Sequence, residues 1–341
     1  MRPKRPTSWD VARLAGVSRA TVSVVLNERH DIRVPEETRS RVREAADRLG
    51  YFQNAAARSL VTGRAGRIGV LTYNPMLLRT NVDDMFHAEV MTALFGALAD
   101  HGYDALVHMV DPHDEAQVLE RVRRSGAEGL VVVGLGYTAE FARKLQLNHF
   151  PVVYAFRYPP GPEFWHIDVD NHAAGATSVE HLVANGHREI AYVQVEDVQY
   201  AYDRRAGAIA AAERHGIALQ TVYIPDLECR RDDPTLGTFL AEMPVTAVAT
   251  DNEFTAYRVI ERFAETGLRV PDDRSVIGVN STPRCETYTP RLTAVRVPIA
   301  DMMTESVQML SEFHGVRPDF VRQRKLPVTV DERESVRPRV R

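Results

Sequence analysis

The chain has 341 residues, more than one hydrophobic core usually supports, so two or three structural units are expected. Its 44% hydrophobic and 26% charged residues suit a soluble globular protein, with no apolar run that could cross a membrane and no secretory signal behind the basic N-terminus. Two cysteines, Cys229 and Cys285, exclude a disulfide framework and form no zinc cluster, so we expect a cytoplasmic protein with no metal and no cofactor.

The formal net charge of -4 conceals an uneven distribution along the chain. Residues 1–64 hold 13 Lys+Arg against 7 Asp+Glu, a balance of +6, so the remaining 277 residues hold 29 against 39, a balance of -10. A basic head on an acidic body is typical of a protein whose head meets a polyanion. A solvated charged face fits the same numbers, and charge alone does not decide between the two.

The first helix is predicted over "TSWDVARLA", residues 7–15. Thr7 and Asp10 have the spacing of a capping box in which Asp replaces Glu. Val11 and Leu14 are expected to face inward, and Gly16 ends the helix.

A second helix begins after Ser18, which is predicted to be its N-cap. Its inward face carries Val22, Val25 and Leu26. Two short helices meeting at a glycine turn predict a helix-turn-helix. Its outward face carries Arg19, Ala20, Ser23, Val24 and Asn27. Arg pairs with guanine through two hydrogen bonds, and Ser, Thr and Asn suit phosphate oxygens, yet a small helical bundle that binds no nucleic acid has the same amphipathic pattern.

A third helix is predicted after Val34. Pro35 lies near its first turn, Glu36 and Glu37 lie at the positive end of the helix dipole, and Gly50 ends it. Its buried stripe consists of Val42, Ala45, Ala46 and Leu49.

The stretch "WDVARLAGVSRATVSVVLN", followed by "VPEETRSRVREAADRLGYFQNAAARSL", closely resembles the DNA-binding head of the LacI/GalR family of bacterial transcription regulators. The family frame D-V-A-x-x-A-G-V-S-x-x-T-V-S-x-V-L-N runs almost unbroken from Asp10 to Asn27. The resemblance implies base-facing side chains at Arg19, Ala20 and Val24. It implies further DNA contacts from Thr7, Ser18, Thr21, Ser23 and Asn27. Val24 departs from the pattern, because family members usually have Arg there.

"NAAARSL", residues 54–60, resembles the hinge helix of the same family, which orders on operator DNA and inserts a leucine into the minor groove. The resemblance implies DNA contacts from Asn54, Ala57 and Leu60, with Leu60 as the inserted side chain. Seven residues make a marginal helix in isolation, which agrees with folding coupled to binding. Gln53 replaces the usual proline and should loosen the approach to the hinge. An ordinary linker helix, with its leucine packed on the body, is the alternative.

From Arg67 onward, short apolar runs alternate with amphipathic stretches. Strands buried on both faces are predicted at "RIGVLT", "DALVHMV", "GLVVVG" and "PVVYAF". A second series of strands is predicted at "REIAYVQ", "TVYI", "AVAT" and "SVIGV". Helices are predicted over 85–101 and 114–125 and from Asn171, Asp203 and Glu253. Two successive βα series predict two doubly wound subdomains. "GLGY", residues 134–137, lacks the third glycine of a dinucleotide site and is interpreted as a βα turn.

The body resembles the family's effector domain, which has the fold of type I periplasmic sugar-binding proteins and holds a small molecule between two lobes. The resemblance rests on "IDVDNHAAGATSVEHLVANGHREIAYV", "DRRAGAIAAAERHGI" and "GLRVPDDRSVIGV", with "TPRLTAVRVP" after them. The predicted fold class is therefore α/β, a small all-α head joined by a hinge helix to a two-lobed effector domain. The predicted domains are a helix-turn-helix (1–52), a hinge and linker (53–64), an effector-binding and dimerisation domain (65–333) and a basic tail (334–341).

The resemblance implies effector contacts from Arg204 and Asn252. Asn280 and Phe156 are also placed in the site, at positions where family members commonly have Asp. Two potential acceptors for sugar hydroxyls are therefore missing, so the effector is expected to be less hydroxylated than a simple hexose, or anionic.

Two further features of the body admit a structural explanation. Tyr73 and Phe86, at the ends of the loop after the first strand, are expected as an aromatic floor of the effector site, although core packing also explains them. Asp168 lies near the lobe crossover, where Asp170 and Asn171 are interpreted as helix-capping residues.

These patterns predict a ligand-responsive repressor that binds a pseudo-palindromic double-stranded DNA operator as a homodimer, with a carbohydrate or related metabolite as effector. The C-terminus has no leucine heptad for tetramerisation. A cytoplasmic small-molecule-binding protein or an activator with the same fold is the alternative. An enzyme is not expected, because the chain contains neither GxxxxGK[ST] nor GxSxG.

Overall fold

A computed structural model describes residues 6–28, 32–52, 65–73, 85–147, 150–195, 197–224, 234–313 and 323–339. The chain divides into two compact units, a head of residues 1–67 with 126–128, and a body that comprises the rest. The predicted hinge contacts Asn54, Ala57 and Leu60, and Cys229, lie outside the described residues.

The head contains three helices, α1 (Ser8–Ala15), α2 (Arg19–Leu26) and α3 (Glu36–Leu49). The Asp10 carboxylate accepts hydrogen bonds from the Thr7 backbone N–H (2.9 Å) and hydroxyl (2.7 Å), as expected at this helix start. Gly16 and Gly50 end α1 and α3 in the left-handed conformation that favours glycine. The small core of the head consists of Val11, Ala12, Ala15, Val22, Val25, Val42, Ala45 and Ala46.

One prediction for α1 was wrong. Leu14 is 45% exposed, whereas Val11, Ala12 and Ala15 are buried. At 3.6 residues per turn, Leu14 lies about 60° to one side of Val11, while Ala12 and Ala15 lie on the other side. The contacts of α1 with α2 and α3 therefore bury the alanine side of the helix and leave Leu14 in solvent.

The first lobe of the body is a six-stranded sheet. Its strands are β1 (Arg67–Tyr73), β2 (Asp104–Val110), β3 (Gly129–Val133), β4 (Val152–Ala155), β5 (Trp165–Val169) and β11 (Gln323–Leu326). The spatial order is β11-β5-β4-β3-β1-β2, and the ladders from β11 to β1 are parallel. The helices of this lobe are α4 (Met85–Asp100), α5 (Glu115–Ser125), α6 (Ala139–Leu145) and α12 (Ile299–Phe313).

The second lobe is also a six-stranded sheet. Its strands are β6 (Ile190–Gln194), β7 (Leu219–Tyr223), β8 (Ala247–Thr250), β9 (Ser275–Asn280), β10 (Ala294–Arg296) and β12 (Thr329–Asp331). The spatial order is β12-β10-β9-β8-β6-β7, and β10 with β12 forms an antiparallel pair beside parallel ladders. Its helices are α7 (Asn171–Ala184), α8 (Gln199–Arg214), α9 (Pro234–Glu242), α10 (Glu253–Glu265) and α11 (Arg284–Thr287).

The chain passes between the two lobes three times. It leaves the first lobe between β5 and α7, returns between β10 and α12, and leaves again between β11 and β12. The helix α12 packs on α4, β3, β4 and β5, while α7 packs on the strands of the second sheet. Each lobe is therefore assembled from segments that are far apart in sequence.

The strand β2 differs from the expectation of burial on both faces, and β7 is exposed in the same way. The strand β2 exposes Val107 (42%) and Met109 (53%), and β7 exposes Tyr223 (44%). Both strands are the last in their sheets, so they are covered less completely than the central strands. The helix predicted to begin at Asp203 begins four residues earlier, at Gln199.

The helices α7 and α8 pack at unusually close range through two glycines. A Cβ atom on Gly175 would lie 1.7 Å from the Arg204 carbonyl oxygen, and one on Gly207 would lie 1.8 Å from the His172 carbonyl oxygen. Neither position has room for a side chain, so these glycines hold the backbone of Arg204 directly against α7.

Residues 334–339 lie in the segment expected as a basic tail and are packed on the second lobe. Ser335 is fully buried, donates a hydrogen bond to the Val276 carbonyl oxygen (2.6 Å) and accepts one from the Thr293 N–H (2.8 Å). Across the described residues, no helix combines the length and apolarity needed to span a membrane, and no group of three or more His, Cys, Asp or Glu side chains is arranged to hold a metal ion.

Candidate nucleic-acid interface and effector site

The outward face of α2 carries the side chains predicted to contact DNA. Val22 and Val25, each 1% exposed, point into the core of the head, which leaves the opposite face in solvent. The exposed positions are Ser18, Arg19 and Ala20. The half-buried positions are Thr21, Ser23, Val24 and Asn27. Val24 is therefore accessible beside these polar side chains, as predicted.

Hydrogen bonds between residues three or four positions apart hold the polar side chains at both ends of α2 in place. The Ser18 hydroxyl oxygen accepts from the Thr21 N–H (3.1 Å), and the two hydroxyl groups share a hydrogen bond of 2.9 Å. At the other end, the Asn27 amide donates to the Ser23 carbonyl oxygen (2.7 Å) and to its hydroxyl oxygen (3.1 Å). The exposed first turn of a helix presents N–H groups and a positive dipole end, which together suit a phosphate.

Trp9 is an exposed aromatic residue on α1 that the sequence analysis did not include among the DNA contacts. Its side chain is 63% exposed, and the Arg19 guanidinium carbon lies 5.8 Å from the centre of its ring. Thr7, by contrast, already donates its single hydroxyl hydrogen to Asp10. Trp9 therefore presents exposed aromatic surface beside Arg19.

In the body, the polar residues of the predicted effector site follow the carboxyl ends of parallel strands. Asn252 comes after β8, Asn280 ends β9, Phe156 follows β4, and Arg204 lies on the helix after β6. In open α/β sheets, ligands bind at this edge of the sheet, because the loops after the strands converge there.

Arg204 is the centre of a buried hydrogen-bond network. Its side chain is 5% exposed, and its Nε donates to the Asn171 amide oxygen (2.9 Å). One terminal nitrogen donates to the Asp251 carbonyl oxygen (2.6 Å) and the other to the Asn280 amide oxygen (3.4 Å). The Tyr200 ring centre lies 4.9 Å from the guanidinium carbon. Hydrogen bonds to residues from three separate segments of the body thus hold the guanidinium in one orientation.

The partners of Arg204 are themselves held by hydrogen bonds. Asn280, which has a φ of +103°, donates from its amide nitrogen to a Glu253 carboxylate oxygen (2.5 Å). The Asp251 carboxylate accepts from the Val195 N–H (2.9 Å) and the Thr255 hydroxyl (2.7 Å). The sequence analysis did not identify Asp251 or Glu253 as part of this site.

Asn252, which was predicted to contact the effector, stabilises the start of the helix that follows it. It is the N-cap of α10, and its amide oxygen accepts from the Thr255 N–H at 2.7 Å. Its side chain is 5% exposed. A capping residue at a strand end is oriented toward the helix, so its role in stabilising α10 is clearer than a role in ligand contact.

The carboxyl groups at the lobe crossover have two different roles. Asp170 accepts from the Ala173 N–H (2.9 Å) and caps α7, which confirms the capping interpretation. Asn171 instead bridges Arg204 and Asp168, donating to an Asp168 carboxylate oxygen at 3.1 Å. Burial raises the pKa of Asp168 to about 7, despite hydrogen bonds to its carboxylate and the nearby positive charge of Arg204.

Tyr73 and Phe86 belong to two separate aromatic pairs of the first lobe, so the expected floor of these two residues is divided between the pairs. The Phe86 ring meets Phe156 edge to face, with ring centres 5.2 Å apart. Tyr73 contacts His87 at 4.8 Å, and the His87 Nε2 lies 3.5 Å from the Thr72 hydroxyl. Phe156 has a φ of +69°, a conformation that favours glycine.

Comparison with known proteins covers both units of the chain. The family profile for bacterial regulatory proteins of the lacI family matches residues 9–54, and the profile for a periplasmic binding protein-like domain matches residues 179–336. Catabolite control protein A of Priestia megaterium is 26% identical over 315 residues, which cover 90% of this chain and 92% of that protein. The HTH-type transcriptional repressor PurR of Mannheimia succiniciproducens is 29% identical over 314 residues, which cover 90% and 91%.

Solved structures share the fold over almost the whole chain. The lac repressor dimer bound to operator and the anti-inducer ONPF is 24% identical, with a TM-score of 0.81 and coverage of 98% of this chain and 100% of that chain. The complex of the transcriptional regulator CelR with cellobiose is 23% identical, with a TM-score of 0.67 and coverage of 97% and 100%. The order of elements in the head and in the two lobes is thus one that other proteins also adopt.

Proposed function

Because the chain belongs to the lacI family of bacterial regulatory proteins, we propose that it is a ligand-responsive transcription repressor that acts in the cytoplasm. It binds a pseudo-palindromic DNA operator as a homodimer and a small-molecule effector in the cleft between the lobes of the body. The observation that carries this proposal is the outward face of α2, where polar side chains fixed by local hydrogen bonds surround an accessible Val24.

The proposed DNA contacts divide by chemistry. Arg19 reads guanine through paired hydrogen bonds, and Ala20 and Val24 offer apolar contacts that suit the thymine methyl group. Ser18, Thr21, Ser23 and Asn27 approach the phosphates and set the register of α2 in the major groove. Because these contacts displace counterions from DNA, affinity should fall steeply as the salt concentration rises.

Selection of bound sequences from random duplex DNA tests this proposal. The expected product is a pseudo-palindrome whose base pair facing Val24 favours T·A or is weakly specified. Val24→Arg should shift that one base pair toward G·C, with a change in discrimination of about 1–3 kcal/mol. Leu14→Arg is the matched control, because it adds the same charge at an exposed apolar position of α1. A strict guanine opposite Val24, or an unchanged profile in Val24→Arg, contradicts the proposed docking of α2.

For the hinge, the proposal rests on the resemblance of "NAAARSL" alone, since these residues lie outside the described ones. Insertion of Leu60 unstacks the central base step and bends the duplex. Leu60→Ala should therefore weaken operator binding and reduce the bend, measured by fluorescence energy transfer across a labelled operator. Unchanged affinity and an unchanged bend would exclude the insertion.

The proposed effector is a carbohydrate or a related metabolite that is anionic or less hydroxylated than a hexose. Two of the solved relatives hold cellobiose and ONPF, which supports a small sugar-like molecule in this fold. Arg204 and Asn280 supply polar contacts, and Tyr73, Phe86 and Phe156 supply apolar surface. A calorimetric comparison of neutral hexoses with sugar acids and sugar phosphates tests the class, and micromolar binding of a neutral hexose alone would overturn it.

Exposed apolar side chains on the first lobe support the proposed homodimer. Phe95 on α4 is 39% exposed, and Val107 and Met109 on the edge strand β2 are 42% and 53% exposed. An apolar edge strand left in solvent favours association. Met109→Glu should convert the dimer to monomer in sedimentation experiments. Leu147→Glu, which places the same charge at another exposed apolar residue of this lobe (55%), should not. Equal sedimentation of both variants with the wild type would place the interface elsewhere.

A further inference from the structure

A pocket of about 430 Å³ lies beside β5 and β11 at the edge of the first sheet. The side chains that define its chemistry are Tyr158, Pro159, Pro162, His166, Gln323 and Lys325. None of these residues belongs to the proposed effector contacts. The volume falls in the usual range for sites that hold a small molecule, about 300–1,000 Å³.

His166 is buried in the wall of this pocket and has an unsatisfied polar atom. Its side chain is 4% exposed, and its Nδ1 makes no hydrogen bond within the described part of the chain. The Tyr158 ring stacks on the imidazole at a centre distance of 3.6 Å, with the two planes 2° apart. Burial lowers the pKa of His166 to about 4, although a hydrogen bond with the Phe164 backbone opposes this shift, so the ring is neutral at pH 7 and its one N–H serves that bond. A buried polar atom of this kind ordinarily has a partner.

Lys325 supplies a positive charge on the same side of the sheet. In the parallel ladder of β11 with β5, Gln323 is level with His166, and Lys325 is level with Asp168, so all four side chains point to one face. No hydrogen bond or ion pair of Lys325 is found among the described residues, yet its charge adds to the lowering of the His166 pKa by burial and opposes the raising of the Asp168 pKa by burial. The Gln323 amide donates to the Gly161 carbonyl oxygen (3.1 Å) and fixes the loop that forms the outer wall.

We propose that this pocket binds a small molecule with a single carboxylate group and an apolar body. The carboxylate pairs with the Lys325 ammonium, while the stacked rings of Tyr158 and His166, together with Pro159 and Pro162, contact the apolar part. One cation matches a monoanion. A dianion such as phosphate is disfavoured, because the pocket has a single positive charge and Asp168 lies beside it. The proposal is independent of DNA binding and of the effector cleft.

The chain has only three lysines, Lys4, Lys144 and Lys325, which makes the test direct. Reductive dimethylation with 13C-formaldehyde keeps each lysine cationic and gives each one its own NMR signal. Titration with benzoate should shift the Lys325 signal saturably. The Lys144 signal should stay in place, because that lysine pairs with Glu140 on the surface of α6. Inorganic phosphate at the same concentrations should produce a weaker response at Lys325.

Two variants complete the experiment on the full-length protein. Lys325→Gln should lower benzoate affinity at least tenfold in calorimetry, whereas Lys144→Gln leaves it unchanged. His166→Gln should lower it by a smaller factor, with the fold checked by circular dichroism. The proposal is overturned if benzoate causes no saturable shift up to about 10 mM. Equal shifts at Lys144, tighter binding of phosphate, or full affinity in Lys325→Gln would overturn it equally.

Discussion

The outward face of α2 in the head and the Arg204 network in the body contain similar polar side chains in different surroundings. The hydrogen bonds that join Ser18 to Thr21 and Ser23 to Asn27 on α2 connect residues three or four positions apart, and these side chains are exposed or half-buried. Around Arg204, the hydrogen bonds span 33, 47 and 76 residues and are buried. The polar side chains proposed to contact DNA therefore make hydrogen bonds within their own short stretch of sequence, whereas those proposed to contact the effector join distant segments of the body. Substitutions should accordingly have different consequences in the two regions.

The largest effect is expected where the backbone of Arg204 meets α7. Gly175→Ala places a methyl group 1.7 Å from the Arg204 carbonyl oxygen, and neither backbone can move without separating the helices. We expect a loss of more than about 4 kcal/mol in the free energy of unfolding, measured with urea. Gly96→Ala is the control, because no atom lies within 4 Å of its added methyl group. Wild-type stability of Gly175→Ala would show that α7 and α8 are less tightly joined than the structure has them.

The side chain of Arg204 should have the next largest effect. Arg204→Ala leaves Asn171, Asn280 and the Asp251 carbonyl oxygen without their shared donor, so the protein should lose about 2–5 kcal/mol of unfolding free energy. Arg205→Ala is the neighbouring control, since Arg205 is half-buried and contacts the Tyr202 ring. It should change stability by less than about 1 kcal/mol. Equal effects of the two substitutions would contradict the network.

The expected loss of stability in Arg204→Ala also affects the outcome of a ligand-binding experiment with that variant. Loss of the effector response in that variant would follow from a damaged lobe as well as from a lost contact. Retention of full effector affinity together with reduced stability would make Arg204 a structural residue alone.

Asp168 should make the stability of the body depend on pH. Its pKa is about 7 in the folded protein against an ordinary value of 3.8, so it is protonated when folded and ionised when unfolded between these values. Its contribution to stability is complete below pH 3.8 and is lost as the pH rises through 7. Between pH 5 and 7, wild-type stability should fall by about 2 kcal/mol relative to Asp168→Asn. Parallel stability curves for the two proteins across this range would exclude the raised pKa.

The smallest predicted effect compares one helix cap in each region. Ser18 in the head and Thr138 in the body both accept a hydrogen bond from the backbone N–H three residues later, at 3.1 Å and 3.2 Å. Each substitution by Ala should cost about 1 kcal/mol locally, measured as faster amide exchange in α2 or α6. Only Ser18→Ala should also weaken binding to a selected DNA sequence. Reduced DNA affinity in Thr138→Ala would mean that the two regions are not separable in this way.

What the sequence predicted correctly depends mainly on local chemistry. The cap at Ser18 and the helix end at Gly16 follow from a few adjacent residues, and the central strands follow from apolar runs. Leu14 was misassigned, because the buried side of α1 is chosen by α2 and α3. The exposure of β2 was missed for a similar reason, since strand order depends on contacts distant in sequence. Motif similarity placed Arg204 in the predicted effector site. It did not indicate the hydrogen-bond partner Asp251, which lies 47 residues farther along the chain.

The three passages of the chain between the lobes also constrain how the body is made. On the ribosome, β1 to β5 emerge early, but the outer neighbour of β5 is β11, and 153 residues (170–322) separate the two strands. The covering helix α12 is likewise translated only after most of the second lobe. The nascent first lobe therefore carries an open strand edge on β5, with unpaired backbone N–H and C=O groups, while the second lobe is synthesised. Slow translation or a stalled chain in this interval exposes that edge to other nascent proteins, and folding factors that shield strand edges should matter most there.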